Sequence, residues 1–165
     1  MKLLTLIRHA KSSWDNANLS DFERTLNDRG RRDAEFMSKM LPKLLPNPDV
    51  IYCSKAERAM ETSHYFIESY NFPTEKVIYD YGIYENGIRY LIKLIQQLPD
   101  SANNVIIIGH NPDITAFCNA YTSTYFDNVP TCGIIGIDFD TDKWSDFSNT
   151  IGKIRFYEYP KKYLK

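Results

Sequence analysis

The chain has 165 residues, of which 43% are hydrophobic and 25% are charged, as expected of a globular protein with a buried core. Its 20 basic and 21 acidic residues nearly cancel, which argues against a general attraction to nucleic acid. The three cysteines form no CxxC pair, so the sequence predicts no metal site and no disulfide framework. No apolar run is long enough for a signal peptide or a membrane span. We therefore expect a cytoplasmic protein without membrane contact, forming a single domain over residues 1–165.

The first element is an apolar run over residues 2–8, which predicts a buried strand and ends on Arg8 and His9. Ligands of open α/β sheets bind just beyond the carboxyl ends of strands. Arg8 is thus a candidate for binding an anion, and His9 for reacting with it. Residues 10–26 have no sustained period and predict a long loop, which we expect to form a wall of the site.

Asn27 predicts the N-cap of a helix with an apolar stripe from Ala34 to Leu44. Residues 50–53 form a second short apolar run and predict a second strand. Ser54-x-x-Glu57 matches a capping box, so the next helix is expected to begin at Ser54. Arg58 then lies in its first turn, where backbone N–H groups and the helix dipole favour an anion.

Residues 77–79 predict a third strand, which leads into a turn-rich segment with two carboxylates, Asp80 and Glu85. A helix with apolar residues from Ile88 to Leu98 follows. The run over residues 105–108 is the most apolar of the chain and predicts a central strand that ends on Gly109-His110. Asn111 is then expected to be an N-cap, with Pro112 at the first position of another helix.

Residues 134–139 and 153–157 predict two strands with no helix between them, which favours an antiparallel hairpin. The expected fold class is therefore α/β with three layers. Its sheet is mainly parallel and flanked by helices, with an antiparallel hairpin at the C-terminal end.

Basic or titratable residues follow three of the predicted strands: Arg8-His9, Arg58 and His110. Parallel strands bring their carboxyl ends to one edge of the sheet, so these side chains are expected to meet there. Phosphoryl transfer needs such a set, because fixed positive charge stabilises the equatorial oxygens of the transition state. A neutral imidazole can act as the nucleophile and form a phosphohistidine. No acidic cluster for magnesium is apparent, so this route needs no metal or cofactor.

Three motifs carry a resemblance to the histidine phosphatase superfamily, also called phosphoglycerate mutase-like. Its Arg-His motif is similar to residues 6–10, its Ser-x-x-x-Arg-Ala-x-x-Thr motif to residues 54–62, and its third motif to residues 108–112. Within the superfamily the chain most resembles the small SixA-type phosphohistidine phosphatases. The residues that carry this closer likeness are residues 8–14, residues 24–30 and Pro130-Thr131.

The resemblance implies that His9 is the residue that becomes phosphorylated. It also implies that Arg8, Arg24, Arg58 and a charged His110 bind the phosphoryl oxygens. For Arg24, a surface ion pair with Asp21 or Glu23 is the competing interpretation. Glu85 matches the general acid of the wider superfamily, although an imidazole leaving group needs less protonation than an alkoxide.

The resemblance further implies that Thr131 lines the pocket. Many relatives have long insertions that roof the site, whereas only a short connection follows the Arg58 helix here. We therefore expect a shallow, open pocket.

The leading hypothesis is a metal-independent phosphatase that acts through phospho-His9 on a protein phosphohistidine. The first alternative is a phosphomonoesterase that acts on a small phosphate ester, with Glu85 as general acid. The second alternative, from another class, is a catalytically weak module that binds phosphorylated ligands.

Overall fold

The apolar runs form a central six-stranded sheet, and the computed structural model describes the chain over residues 1–165. The strands are β1 (Lys2–Arg8), β2 (Val50–Ser54), β3 (Val77–Asp80), β4 (Asn104–Gly109), β5 (Ile134–Phe139) and β6 (Lys153–Glu158). The helices are α1 (Asp28–Met40), α2 (Glu57–Ser69), α3 (Tyr81–Glu85), α4 (Gly87–Gln96) and α5 (Asp113–Tyr121). No helix combines the length and the apolar character that crossing a membrane would require.

The strand order is β3-β2-β4-β1-β5-β6. The first four strands along the chain are mutually parallel, whereas β5 pairs antiparallel with both β1 and β6. Arg8 pairs with Gly109 across β1 and β4, and Cys53 pairs with Ile108 across β2 and β4. This register aligns the carboxyl ends of three neighbouring strands at one edge, as the sequence predicts.

Helices cover both faces of the sheet. Alternate residues of β1 point to opposite sides: Leu4 and Leu6 pack with α4 and α5, and Leu3 and Ile7 pack with α1 and α2. The two resulting apolar clusters contain 20 and 18 buried residues, so the sheet has a core on each face. The predicted three-layer α/β class is confirmed.

Two predicted helix starts are wrong, while a third is confirmed. Asn27 caps α1 by accepting a hydrogen bond of 2.8 Å from the Gly30 N–H. Ser54, however, is the last residue of β2, and α2 begins at Glu57 without a side-chain cap. The Ser54 hydroxyl instead accepts from the Ala56 N–H and contacts His110, so it is not available for the predicted capping box.

Asn111 is also not an N-cap, because α5 begins at Asp113 with Pro112 in the capping position. The Asn111 amide oxygen accepts hydrogen bonds from the backbone and hydroxyl of Thr115, one turn along the helix. The turn-rich segment after β3 contains the short helix α3, which Asp80 caps through the Gly82 N–H.

Candidate active site

Side chains from the ends of β1 and β4 and from the start of α2 meet at the carboxyl edge of the sheet. The imidazole rings of His9 and His110 lie 5.2 Å apart, centroid to centroid. The Arg58 Nε lies 3.4 Å from the His9 Nε2. The three residues are buried, with relative exposures of 7%, 8% and 6% for His9, His110 and Arg58. The structure thus brings together the residues that the sequence predicts to meet.

The hydrogen bond of the His9 ring fixes its tautomer. Its Nδ1 lies 2.7 Å from the carbonyl oxygen of Ala10, which can only accept, so Nδ1 holds the hydrogen and Nε2 presents a lone pair. Burial, followed by the neighbouring His110, holds the pKa of His9 well below its usual value. The ring is therefore neutral at pH 7, and its unprotonated Nε2 accepts a hydrogen bond from the Arg58 Nε–H at 3.4 Å.

The backbone around His9 is tied to two other elements. The Cys132 N–H donates to the carbonyl oxygens of Arg8 and His9, each at 3.0 Å. The Ala10 N–H donates to the Thr62 hydroxyl, which itself donates to the Arg58 carbonyl in the first turn of α2. These bonds position the strand end that holds His9 against the helix that holds Arg58.

The His110 ring contacts Ser54 through its Nε2 nitrogen. Its Nε2 lies 2.8 Å from the Ser54 hydroxyl, and its buried Nδ1 has no partner. The Ser54 oxygen also accepts from the Ala56 N–H, and when its own hydrogen is donated to Nε2 the hydrogen of the neutral His110 ring lies on Nδ1.

Burial, followed by the charge of Arg58, lowers the pKa of His110 to about 4. In the free protein desolvation of His110 outweighs the attraction of Asp21, so the neutral ring is favoured, and the charged His110 expected beside a bound phosphoryl group stays a prediction.

Two further arginines border the two histidines. Arg8 donates from Nη1 to the Val129 carbonyl, and its buried Nε has no partner. Burial, followed by the charge of Arg58, lowers the pKa of Arg8 from its ordinary value of 12.5. Arg24 is buried beneath the exposed indole of Trp14, 3.5 Å from the ring centroid, and donates to the Ser12 hydroxyl.

Asp21 links Arg24 to Arg58: its ion pair with Arg24 is the competing interpretation of that arginine, whereas its contact with Arg58 was not predicted. Its Oδ2 accepts from the Arg58 Nη2 at 3.1 Å and from the Tyr84 hydroxyl at 2.8 Å, while its Oδ1 accepts from the Arg24 Nε at 3.2 Å. Burial alone would raise its pKa, but the Tyr84 hydroxyl and the Arg58 charge together lower it below 3.8. An aspartate three residues before an arginine is typical of an ordinary surface pair, so nothing in the local sequence distinguishes it.

Glu85 lies outside this set of contacts. It is an exposed residue at the end of α3, and the neighbouring residue Tyr84 is the one that contacts Asp21 and the edge of the His110 ring. The loop before β5 reaches the site through backbone groups of Val129 and Cys132, and Thr131 makes none of these hydrogen bonds.

The expected open pocket is not observed. The short turn Asp21–Glu23 contacts Arg58 and Tyr84 at this edge of the sheet, and His9, Arg24, Arg58 and His110 are all buried. The cover therefore comes from the segment after β1 and from α3, although the connection from α2 to β3 is short as predicted.

Comparisons with known proteins agree with this geometry. An uncharacterized protein of Mycobacterium leprae is 32% identical over 141 residues, which cover 78% of this chain and 84% of that protein. A structure assigned to the phosphohistidine phosphatase SixA from Agrobacterium tumefaciens has a TM-score of 0.83 at 23% identity, covering 96% of this chain and 98% of that one. Phosphoserine phosphatase from Entamoeba histolytica has a TM-score of 0.68 at 16% identity, covering 99% of this chain and 100% of that one.

These two structural likenesses confirm the phosphoglycerate mutase-like fold. The family model described as histidine phosphatase superfamily (branch 1) matches residues 4–86, which include the Arg8-His9 strand end, Asp21 and the Arg58 helix. The prediction of a phosphatase is confirmed at the level of this family. The matched half of the chain and the relative with 32% identity lead to one conclusion: the chain belongs to the histidine phosphatase superfamily, branch 1.

Proposed function

We propose that the protein is a metal-independent phosphatase that acts through a phosphohistidine on Nε2 of His9. The observation that supports this most directly is the neutral His9 ring, whose Nδ1–H donates to the Ala10 carbonyl while its unprotonated Nε2 accepts a hydrogen bond from the Arg58 Nε–H. A nucleophile with a lone pair beside a fixed positive charge suits attack on an anionic phosphoryl group.

In the first step the Nε2 lone pair of His9 attacks phosphorus. The bond from phosphorus to the leaving nitrogen or oxygen breaks, and the leaving group takes the electron pair. In the second step water attacks the phosphorus of phospho-His9, the P–Nε2 bond breaks, and the ring regains its lone pair as inorganic phosphate and a proton depart. Arg8, Arg58 and the Nδ1–H of His110 bind the non-bridging oxygens, with Arg24 as the outer contact.

Protein phosphohistidine is the substrate that we propose, with a phosphorylated protein as the partner. An imidazole can leave as a neutral ring when its second nitrogen is protonated, so it needs no acid from the enzyme. Two features support this substrate: Glu85 is exposed, and the Asp21 carboxylate in the site is held ionised. The fold shared with the Agrobacterium tumefaciens SixA structure agrees with it.

Replacing His9 by Asn tests the mechanism. With a generic aryl phosphate and excess EDTA, the wild-type chain is expected to hydrolyse the ester and to form an acid-labile phosphoenzyme, while His9→Asn loses both by at least about a thousandfold. His64→Asn is the matched control, because His64 is an exposed histidine on α2.

Hydrolysis that EDTA abolishes would contradict the mechanism. Absence of both turnover and phosphoenzyme with every donor would favour a binding module. Rates on a phosphohistidine protein and on a panel of phosphate esters then separate the two enzymatic hypotheses.

A further inference from the structure

In the free protein the Asp21 side chain uses the arginine donors that face the site. Arg58 donates from Nη1 to the Asp21 backbone carbonyl at 2.7 Å and from Nη2 to Oδ2 at 3.1 Å, while its Nε faces His9. Arg24 lies 3.2 Å from Oδ1 through both Nε and Nη2. One carboxylate thus bridges two guanidinium groups, beside the nucleophilic nitrogen.

These donors are the ones that a phosphoryl group on His9 needs. A guanidinium binds carboxylate and phosphoryl oxygens through the same pair of parallel N–H groups, so one donor pair cannot serve both anions in full. Arg8 and His110 each keep a buried nitrogen without a partner, Nε and Nδ1, but these two alone do not replace the donors of Arg24 and Arg58. Full binding of a phosphoryl group therefore requires the Asp21 carboxylate to leave.

The local structure allows the carboxylate to leave without unfolding the segment. Asp21 begins a single 3₁₀ turn, and its side chain is 49% exposed, so a rotamer change can turn it into solvent. The turn is held separately, by the Glu23 carboxylate accepting from the backbone and hydroxyl of Ser20. The bond from Arg58 to the Asp21 backbone carbonyl can also persist while the side chain moves.

We propose that Asp21 is a positioning residue that acts as an internal competitor for the phosphoryl group. Its carboxylate keeps Arg24 and Arg58 oriented in the free protein, gives way when a phosphoryl group binds, and returns to displace inorganic phosphate after hydrolysis. This inference rests on the proposed function, because it assigns Arg24 and Arg58 to phosphoryl binding. We call the position of the carboxylate in the free protein the closed position, and Tyr84 stabilises it through its hydrogen bond of 2.8 Å to Oδ2.

Calorimetric titration with inorganic phosphate tests the inference without turnover. If the Asp21 carboxylate occupies the closed position about nine-tenths of the time, the apparent affinity of the site for phosphate is about tenfold weaker. Asp21→Asn, which removes the charge and keeps the shape, is therefore expected to bind phosphate about tenfold more tightly than the wild type. Glu23→Gln is the matched control, because it changes net charge equally on the same turn but touches only Ser20.

Equal or weaker phosphate binding by Asp21→Asn would overturn the inference, and so would equal tightening by Glu23→Gln. Tyr84→Phe provides a second measurement, should Asp21→Asn fold poorly. It loosens the closed position and is expected to tighten phosphate binding about two- to threefold, whereas unchanged binding would count against the inference. Phosphoenzyme formation by the wild type is measured separately, so failure of the proposed function remains distinguishable.

Discussion

His9 and His110 are neighbouring imidazole rings, yet their hydrogen-bond partners differ: a carbonyl for His9 and a hydroxyl for His110. The Ala10 carbonyl accepts from the Nδ1–H of His9, so Nε2 is the basic nitrogen, whereas a Ser54 hydroxyl that donates to Nε2 of His110 places the ring hydrogen on Nδ1 as a donor. Burial keeps both rings neutral by lowering both pKa values. A dianionic phosphoryl group that entered the site would raise the pKa of His110, because an opposite charge favours the protonated ring.

Replacement of Glu85 by Gln tests whether this carboxylate acts as a general acid. Because Glu85 is exposed and its side chain makes no hydrogen bond in the site, the variant is expected to hydrolyse a phosphohistidine protein and an aryl phosphate within about twofold of the wild-type rates. Initial rates measure both activities, with Glu75→Gln as an exposed carboxylate control. A loss of about a hundredfold confined to esters would instead identify Glu85 as their general acid.

At the scale of the elements, the segment that leaves β1 is held by the first turn of α1. The Lys11 carbonyl accepts from the Asn27 N–H at 3.0 Å, and a Cβ on Gly30 would lie 2.0 Å from the same carbonyl oxygen. Gly30 thus permits a close approach between a helix and the backbone just after His9. The same contact fixes where the segment carrying Asp21 starts.

Gly30→Ala should therefore disturb both the packing and the site. Overpacking of this kind typically costs about 1–3 kcal/mol, so the free energy of unfolding in urea is expected to fall by that amount. The value of kcat/KM should fall as well, because Lys11 must move and Ala10 and His9 precede it directly. Glu35→Ala, at an exposed position of α1, is the control. A Gly30→Ala variant as stable as the wild type would show that the backbone yields at no cost.

At the scale of the whole molecule, the buried histidines link stability to pH. In the unfolded chain His110 takes up a proton below its ordinary pKa of 6.5, whereas the folded protein resists protonation until about pH 4. The unfolded state therefore binds more protons between these values, and the stability falls as the pH drops through this window. His9 acts in the same direction, since its pKa is also lowered.

Urea unfolding at pH 7 and pH 5 measures this linkage. His110 alone is expected to lower the free energy of unfolding by about 2 kcal/mol between the two values, from 1.36 kcal/mol per pH unit over 1.5 units. His110→Gln should show a loss smaller by about that amount, because the carboxylates contribute equally to both proteins. If the two proteins lost equal stability, His110 would not be neutral in the folded state.

Much of the fold was predictable because it depends on local pattern. The bounds of β1 and β5 match the predicted runs, and the hairpin of β5 and β6 follows from the absence of a helix between them. The predicted helix starts at Ser54 and Asn111 are wrong, and both side chains contact residues far along the chain: Ser54 contacts His110, and Asn111 donates to the Val129 carbonyl. The catalytic and binding roles of His9, Arg8, Arg58, His110, Arg24 and Glu85 stay predictions.

By itself, the sequence determined the strands, the mainly parallel character of their sheet and the basic residues that follow them. Hydrophobic period and residue type are local properties. Only the tertiary structure decided that Asp21 and Tyr84 enter the site, that Glu85 stays outside it, and which nitrogen each histidine presents. Those outcomes depend on hydrogen bonds and burial between segments far apart in the chain. The path of the segment after β1 sets the contacts of Asp21, and this segment has no hydrophobic period from which its path could be predicted.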